Sequence, residues 1–133
     1  MTTEPLSEYG RTRLEKADKM LSDAAMLIGA GRFESAADRA YYAMFHAAQA
    51  ALVAVGVKAP RTHRGLRSQF GERLVTTGLI EREFSRDLTK AHEVRLESTY
   101  EAYAAMDEGE ARTMLEAADR FVTRIRQFTG TKS

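Results

Sequence analysis

The side chains of this sequence that exchange protons near neutral pH are three histidines, His46, His63 and His92. His46 follows Phe45 inside an apolar run. A ring hydrogen-bonded between helices is the plainer reading there, with a catalytic role as the alternative. His63 lies in KAPRTHRGLR, which holds Lys58, Arg61, Arg64 and Arg67 and no acid. This is the one local basic run, and it sits near a helix start whose free amides also favour anions. Lys58, Arg61, His63, Arg64 and Arg67 are therefore the candidate anion-binding residues, for a phosphate or a partner, against the competing reading of a solvated charged face. His92 precedes Arg95 by three residues, so an imidazole and a guanidinium share one helix face. Glu93 and Glu97 stand four apart on the same helix and Asp87 one turn earlier. Surface pairing with Arg86, Lys90 or Arg95 accounts for these acids.

Other chemistries lack their residues. The absence of cysteine removes disulfides and thiolate metal sites. No paired-histidine or Glu-x-x-His spacing offers a metal site, since Glu93 follows His92 directly. No glycine-rich loop follows a strand, and no serine occupies a nucleophile elbow. Neither metal nor cofactor is expected. A net charge of +1 does not by itself advertise nucleic-acid binding, so any such contact depends on the local basic run.

The elements that must position these groups are helices. In FESAADRAYYAMFHAAQAALVAV, residues 33–55, apolar residues recur at steps of three and four. Interleaved alanines make this helix apolar nearly all round, so neighbours must cover it on several sides. It is expected to be the centre of a bundle. Before it, Ser7 is a plausible cap for a helix whose inner stripe is Leu14, Ala17, Leu21, Ala24, Ala25 and Ile28, closed by Gly29 and Gly31. Gly56 ends the central helix, and residues 57–61 form a loop. Thr62 caps a third helix carrying Leu66, Phe70 and Leu74, stopped by Gly78. A fourth carries Phe84, Leu88, Ala91, Arg95 and Thr99 and ends between Tyr100 and Met106. Asp107 starts the last, with Ala111, Met114, Leu115, Ala118, Phe121, Val122, Ile125 and Phe128 inward.

No stretch alternates as a strand does. The expectation is an all-α, antiparallel bundle of about five helices, forming one domain over residues 1–133. Hydrophobic content of 44% and charged content of 29% argue against disorder. No run reaches membrane-span length and the first residues do not resemble a secretory signal, so no membrane association and a cytoplasmic location are expected.

Three segments in order carry a family resemblance. GRFESAADRAYYAMFHAAQAAL, residues 31–52, resembles the central helix of HEPN domains, closest to their small stand-alone prokaryotic branch, with its glycine, aromatic and tyrosine pair. PRTHRGLRSQF, residues 60–70, is similar to that branch's loop and third-helix start. VRLESTY, residues 94–100, falls where the family carries its arginine motif. The resemblance spans roughly residues 10–128.

The resemblance implies a helical bundle that pairs as a homodimer. In many HEPN proteins an arginine, then four to six residues, then a histidine cleave RNA without metal, two copies meeting across the dimer interface. Such proteins are often toxins encoded beside a nucleotidyltransferase that neutralises them. Carried over, Arg95 matches the arginine, but the position five further on is Tyr100. With a reference pKa of about 10, a tyrosine is a poor base near neutrality. The catalytic candidates are thus Arg95 for transition-state charge and Tyr100 or His92 for the proton. Tyr100 or Tyr103 is also a candidate nucleotide acceptor for such a partner. The alternative is a non-catalytic nucleotide- or partner-binding module built around Arg95.

Overall fold

The chain is described from a computed structural model over residues 6–98 and 106–131. Its helices are α1 (Glu8–Gly29), α2 (Phe33–Ala54), α3 (His63–Phe70), α4 (Arg82–Ser98) and α5 (Glu108–Thr129). The described residues contain no strand.

Local sequence sets most of the boundaries. Ser7 caps α1 by accepting from the Gly10 amide at 3.2 Å. Gly10 lies close under Leu6: a Cβ there would sit 2.5 Å from the Leu6 side chain, which would have to shift. Gly31, at φ 74°, reverses the chain between α1 and α2. Asp107 opens α5 with a reciprocal capping box: it accepts from the Glu110 amide at 2.8 Å, and Glu110 accepts from the Asp107 amide at 3.2 Å.

α2 is the core helix. Ala36, Ala37, Ala40, Tyr41, Met44, Ala47, Ala48, Ala51 and Leu52 are all buried. Side-chain contacts fix how the others lie on it. Arg13, early in α1, meets His46 in the second half of α2, so the two helices run in opposite directions. Arg95, late in α4, meets Asp38, early in α2, which makes that pair antiparallel as well. The late α5 residue Arg124 binds Glu81, just ahead of α4, at 2.6 Å, and Arg126 binds Asp18 of α1. Phe70 at the end of α3 packs on Phe121 of α5, with ring centroids 5.4 Å apart, and Phe84 meets Phe121 at 6.2 Å.

The third helix departs from expectation in one respect. It is α-helical only to Phe70 and continues as a π turn over Gly71–Val75, closed by the Thr76 amide on the Gly71 carbonyl at 2.9 Å. Leu66, Phe70 and Leu74 all remain buried across that change. The end of the fourth helix, expected between Tyr100 and Met106, lies mostly outside the described residues.

Candidate functional site

α2 is apolar enough that its few polar groups stand out. Asp38 and Tyr42 are one turn apart, so they share a face, and Tyr41 lies beside them. α4 brings His92 and Arg95, three apart, against that face. Arg95 Nε donates to Asp38 Oδ1 at 2.5 Å, and Arg95 Nη2 donates to the Tyr42 hydroxyl at 3.2 Å. The guanidinium carbon also sits 5.0 Å from the Tyr42 ring centroid and 5.7 Å from that of Tyr41. Arg95 is thus tied to α2, with the Arg95 and Asp38 side chains 21% and 39% exposed.

The loop after α2 supplies the next group. Gln49 Nε2 donates to the Pro60 carbonyl at 3.0 Å and anchors the loop to α2. Thr62 then caps α3, accepting from the Gly65 amide at 3.0 Å. A Cβ on Gly65 would come within 2.8 Å of the Thr62 hydroxyl, so glycine fits this cap best. His63, the first residue of α3, is thereby turned inward. Its Nδ1 lies 2.6 Å from the Tyr41 hydroxyl, and its ring stacks on His92 with centroids 4.7 Å apart and planes at 24°. Tyr41 also packs 5.3 Å from the His92 ring.

The electrostatics follow from this crowding. Burial, then the neighbouring Tyr42, pushes the Tyr41 hydroxyl well above its ordinary range, with Arg95 and Arg67 pulling the other way. It stays a neutral hydroxyl. His63 is held below its ordinary value by burial, then by Arg95 and Arg67. His92 is lowered by burial, then by Arg67, His63 and Arg95, with Glu93 opposing. Burial works against the charge on Arg95, but the Asp38 hydrogen bond, Tyr42 and Tyr41 outweigh it and raise its value. The result is a fixed cation beside two imidazoles that favour the neutral form, which is the form that accepts a proton.

The expected residues therefore divide. His92 and Arg95 are together, as their spacing indicated. Lys58, Arg61 and Arg64 are exposed. Arg67 is half-buried, with Nε enclosed and without a hydrogen-bond partner. His63 leaves the basic run and joins His92. Tyr100 and Tyr103 lie outside the described residues. His46 meets Arg13, its Nδ1 3.3 Å from Arg13 Nη1, and burial and that guanidinium lower its value. Among the described residues, no three histidines or carboxylates converge as a metal site, and no helix is long and apolar enough to cross a membrane. A groove of about 680 Å³ between α4 and α5 is lined by Lys90, Val94, Met114 and Arg120, among others, and by none of the candidate residues.

Sequence reasoning missed Asp38, Tyr41 and Tyr42 as members of the site. The available signal was Asp38 itself. It is a carboxylate beyond the first turn of a helix that is otherwise almost wholly apolar, one turn ahead of a tyrosine pair.

Comparison with known proteins agrees with this architecture. A family model described as "HEPN domain" matches residues 11–128. The chain is 34% identical over 114 residues to a Methanocaldococcus jannaschii protein named "Putative toxin MJ0605", covering 86% of this chain and 84% of that one. It is 35% identical over 114 residues to an Archaeoglobus fulgidus protein named "UPF0332 protein", covering 86% and 90%. A Thermotoga maritima protein of the same name is 30% identical over 122 residues, covering 92% and 89%.

Proposed function

The chain belongs to the HEPN domain family, and we propose that it acts as the RNA-cleaving component of a toxin–antitoxin-type pair with a nucleotidyltransferase, working as a cytoplasmic homodimer. The name of the Methanocaldococcus jannaschii relative supports the toxin side of this reading. The observation that carries the ribonuclease side is the setting of Arg95. Its guanidinium is held by Asp38 and Tyr42 at the edge of a cluster containing two imidazoles.

That setting suits phosphodiester cleavage by the neighbouring ribose. The 2′-hydroxyl loses a proton, its oxygen attacks phosphorus, and negative charge gathers on the phosphoryl oxygens. A preorganised guanidinium in a partly dry site lowers the energy of that charge far more than one in water does. The exposed Lys58, Arg61 and Arg64 supply sequence-independent attraction for the RNA backbone. In a homodimer, two Arg95 sites face a shared cleft.

The test is direct. Purified protein is incubated with labelled RNA in the presence of a chelator, alongside Arg95→Ala. The reading requires cleavage that disappears in the variant; no arginine-dependent cleavage ends it.

One observation favours a second reading, a nucleotide- or partner-binding module. The Asp38 carboxylate partly neutralises Arg95 and weakens its pull on a substrate phosphate. That reading expects no cleavage, together with a nucleotide-dependent rise in Tm or co-purification with a nucleotidyltransferase.

A further inference from the structure

Resting on the ribonuclease reading above, we propose that His63 carries the proton in the cleavage step and that Tyr41 is its positioning residue. The arginine motif of this chain offers Tyr100 where a histidine is expected, so the imidazole must come from elsewhere. The fold supplies one from a different element, the start of α3, at a point 32 residues before Arg95 in the sequence. Tyr41 links the two. Its hydroxyl lies 2.6 Å from His63 Nδ1, and its ring lies 5.7 Å from the Arg95 guanidinium carbon.

Two features favour His63 over His92. His92 is only 8% exposed, whereas His63 is half-buried. His63 is also the ring with a dedicated orienting partner. When the Tyr41 hydroxyl accepts from Nδ1–H, the lone pair of Nε2 is free to take a proton. When the ring is protonated, the same contact persists, so the imidazole does not have to reorient during the reaction.

The groups facing His63 come from every element packed on it. Tyr41, Tyr42 and Phe45 come from α2, Arg67 from its own helix, and His92 and Arg95 from α4. Asp38 brings a carboxylate to the cluster through its bond to Arg95, and Glu93 acts on the neighbouring His92.

The step balances without a co-reactant. Nε2 removes the proton of the 2′-hydroxyl as the 2′ oxygen bonds to phosphorus. The bond from phosphorus to the 5′ oxygen breaks, and the imidazolium gives the proton to that oxygen. The products are a 2′,3′-cyclic phosphate and a 5′-hydroxyl end.

The experiment follows cleavage of one labelled RNA between pH 5 and 8 by the wild type, His63→Gln, Tyr41→Phe and Arg95→Ala. His63→Gln is expected to lose about 10²–10⁴-fold in kcat with RNA affinity unchanged. It is also expected to lose the acid limb of the pH profile. That limb has its midpoint below the ordinary histidine value of about 6.5 in the wild type. Tyr41→Phe is expected to lower kcat with KM unchanged and to displace the limb, which a merely structural contact would not do. His63→Gln cleaving at the wild-type rate, with Arg95→Ala inert, overturns the assignment and leaves the ribonuclease reading standing. No arginine-dependent cleavage by the wild type overturns both. Should His63→Gln lose its helical circular dichroism, Tyr41→Phe decides: a displaced limb supports His63, and an unmoved limb overturns it.

Discussion

Replacing Asp38 by alanine removes the carboxylate that receives Arg95 Nε at 2.5 Å. Its cost depends on how much water already screens the pair. Breaking a buried ion pair costs about 3–5 kcal/mol, and exposed pairs contribute about 0–1 kcal/mol. With side-chain exposures of 21% and 39%, this pair lies nearer the exposed limit. The expected destabilisation is therefore about 1–2 kcal/mol. For a chain of this length that corresponds to a fall in Tm of about 4–7 °C. The assay is a double-mutant cycle by chemical denaturation with Asp38→Ala, Arg95→Ala and the double variant. The two single effects should overlap, leaving a coupling energy of about 1 kcal/mol or more. RNA cleavage by Asp38→Ala should also fall while RNA affinity holds or rises, because the cation is released but no longer aimed. Strict additivity, with coupling below about 0.3 kcal/mol, would refute the claim that Asp38 holds Arg95 in place.

Further outcomes follow from the same contacts. His46, His63 and His92 are all held below their ordinary value, chiefly by burial. The unfolded chain thus binds protons first as pH falls, so stability present above about pH 6.5 is lost on acidification. Tm measured from pH 7.5 to pH 5 should drop, and less steeply in His92→Gln; a flat wild-type profile contradicts this. Phe121→Ala removes a fully buried ring packed on Phe70 and Phe84 and should cost about 3–5 kcal/mol in urea unfolding. Asp107→Ala deletes one half of the α5 capping box and should cost about 1 kcal/mol by the same measurement.

Much of the scaffold was legible because local rules decide it. The step of three and four in residues 33–55 marks α2, and Ser7, Thr62 and Asp107 cap the helices they precede. The π turn was not legible, since the four-residue spacing of Leu66, Phe70 and Leu74 is read equally well as a continued α-helix. In the site, the pairing of His92 with Arg95 was visible as a helix-face spacing. The tie from Arg95 to Asp38 crosses 57 positions and has no local signature. In the sequence His63 groups with the cations around it, because KAPRTHRGLR looks like a solvated basic run. Its inward turn depends on the Gln49–Pro60 bond and on the Tyr41 hydroxyl, both contributed by a helix that otherwise reads as plain core.

The proposed cleavage of RNA at the cluster around Arg95 runs through the neighbouring ribose. The most direct measurement compares one RNA with its counterpart carrying a single 2′-deoxy sugar at the cleaved position, with the product ends identified by mass spectrometry. The ribose substrate is expected to yield a 2′,3′-cyclic phosphate and a 5′-hydroxyl, while the deoxy substrate stays intact at that position. Equal cleavage of both, or products bearing a 5′-phosphate, would contradict it.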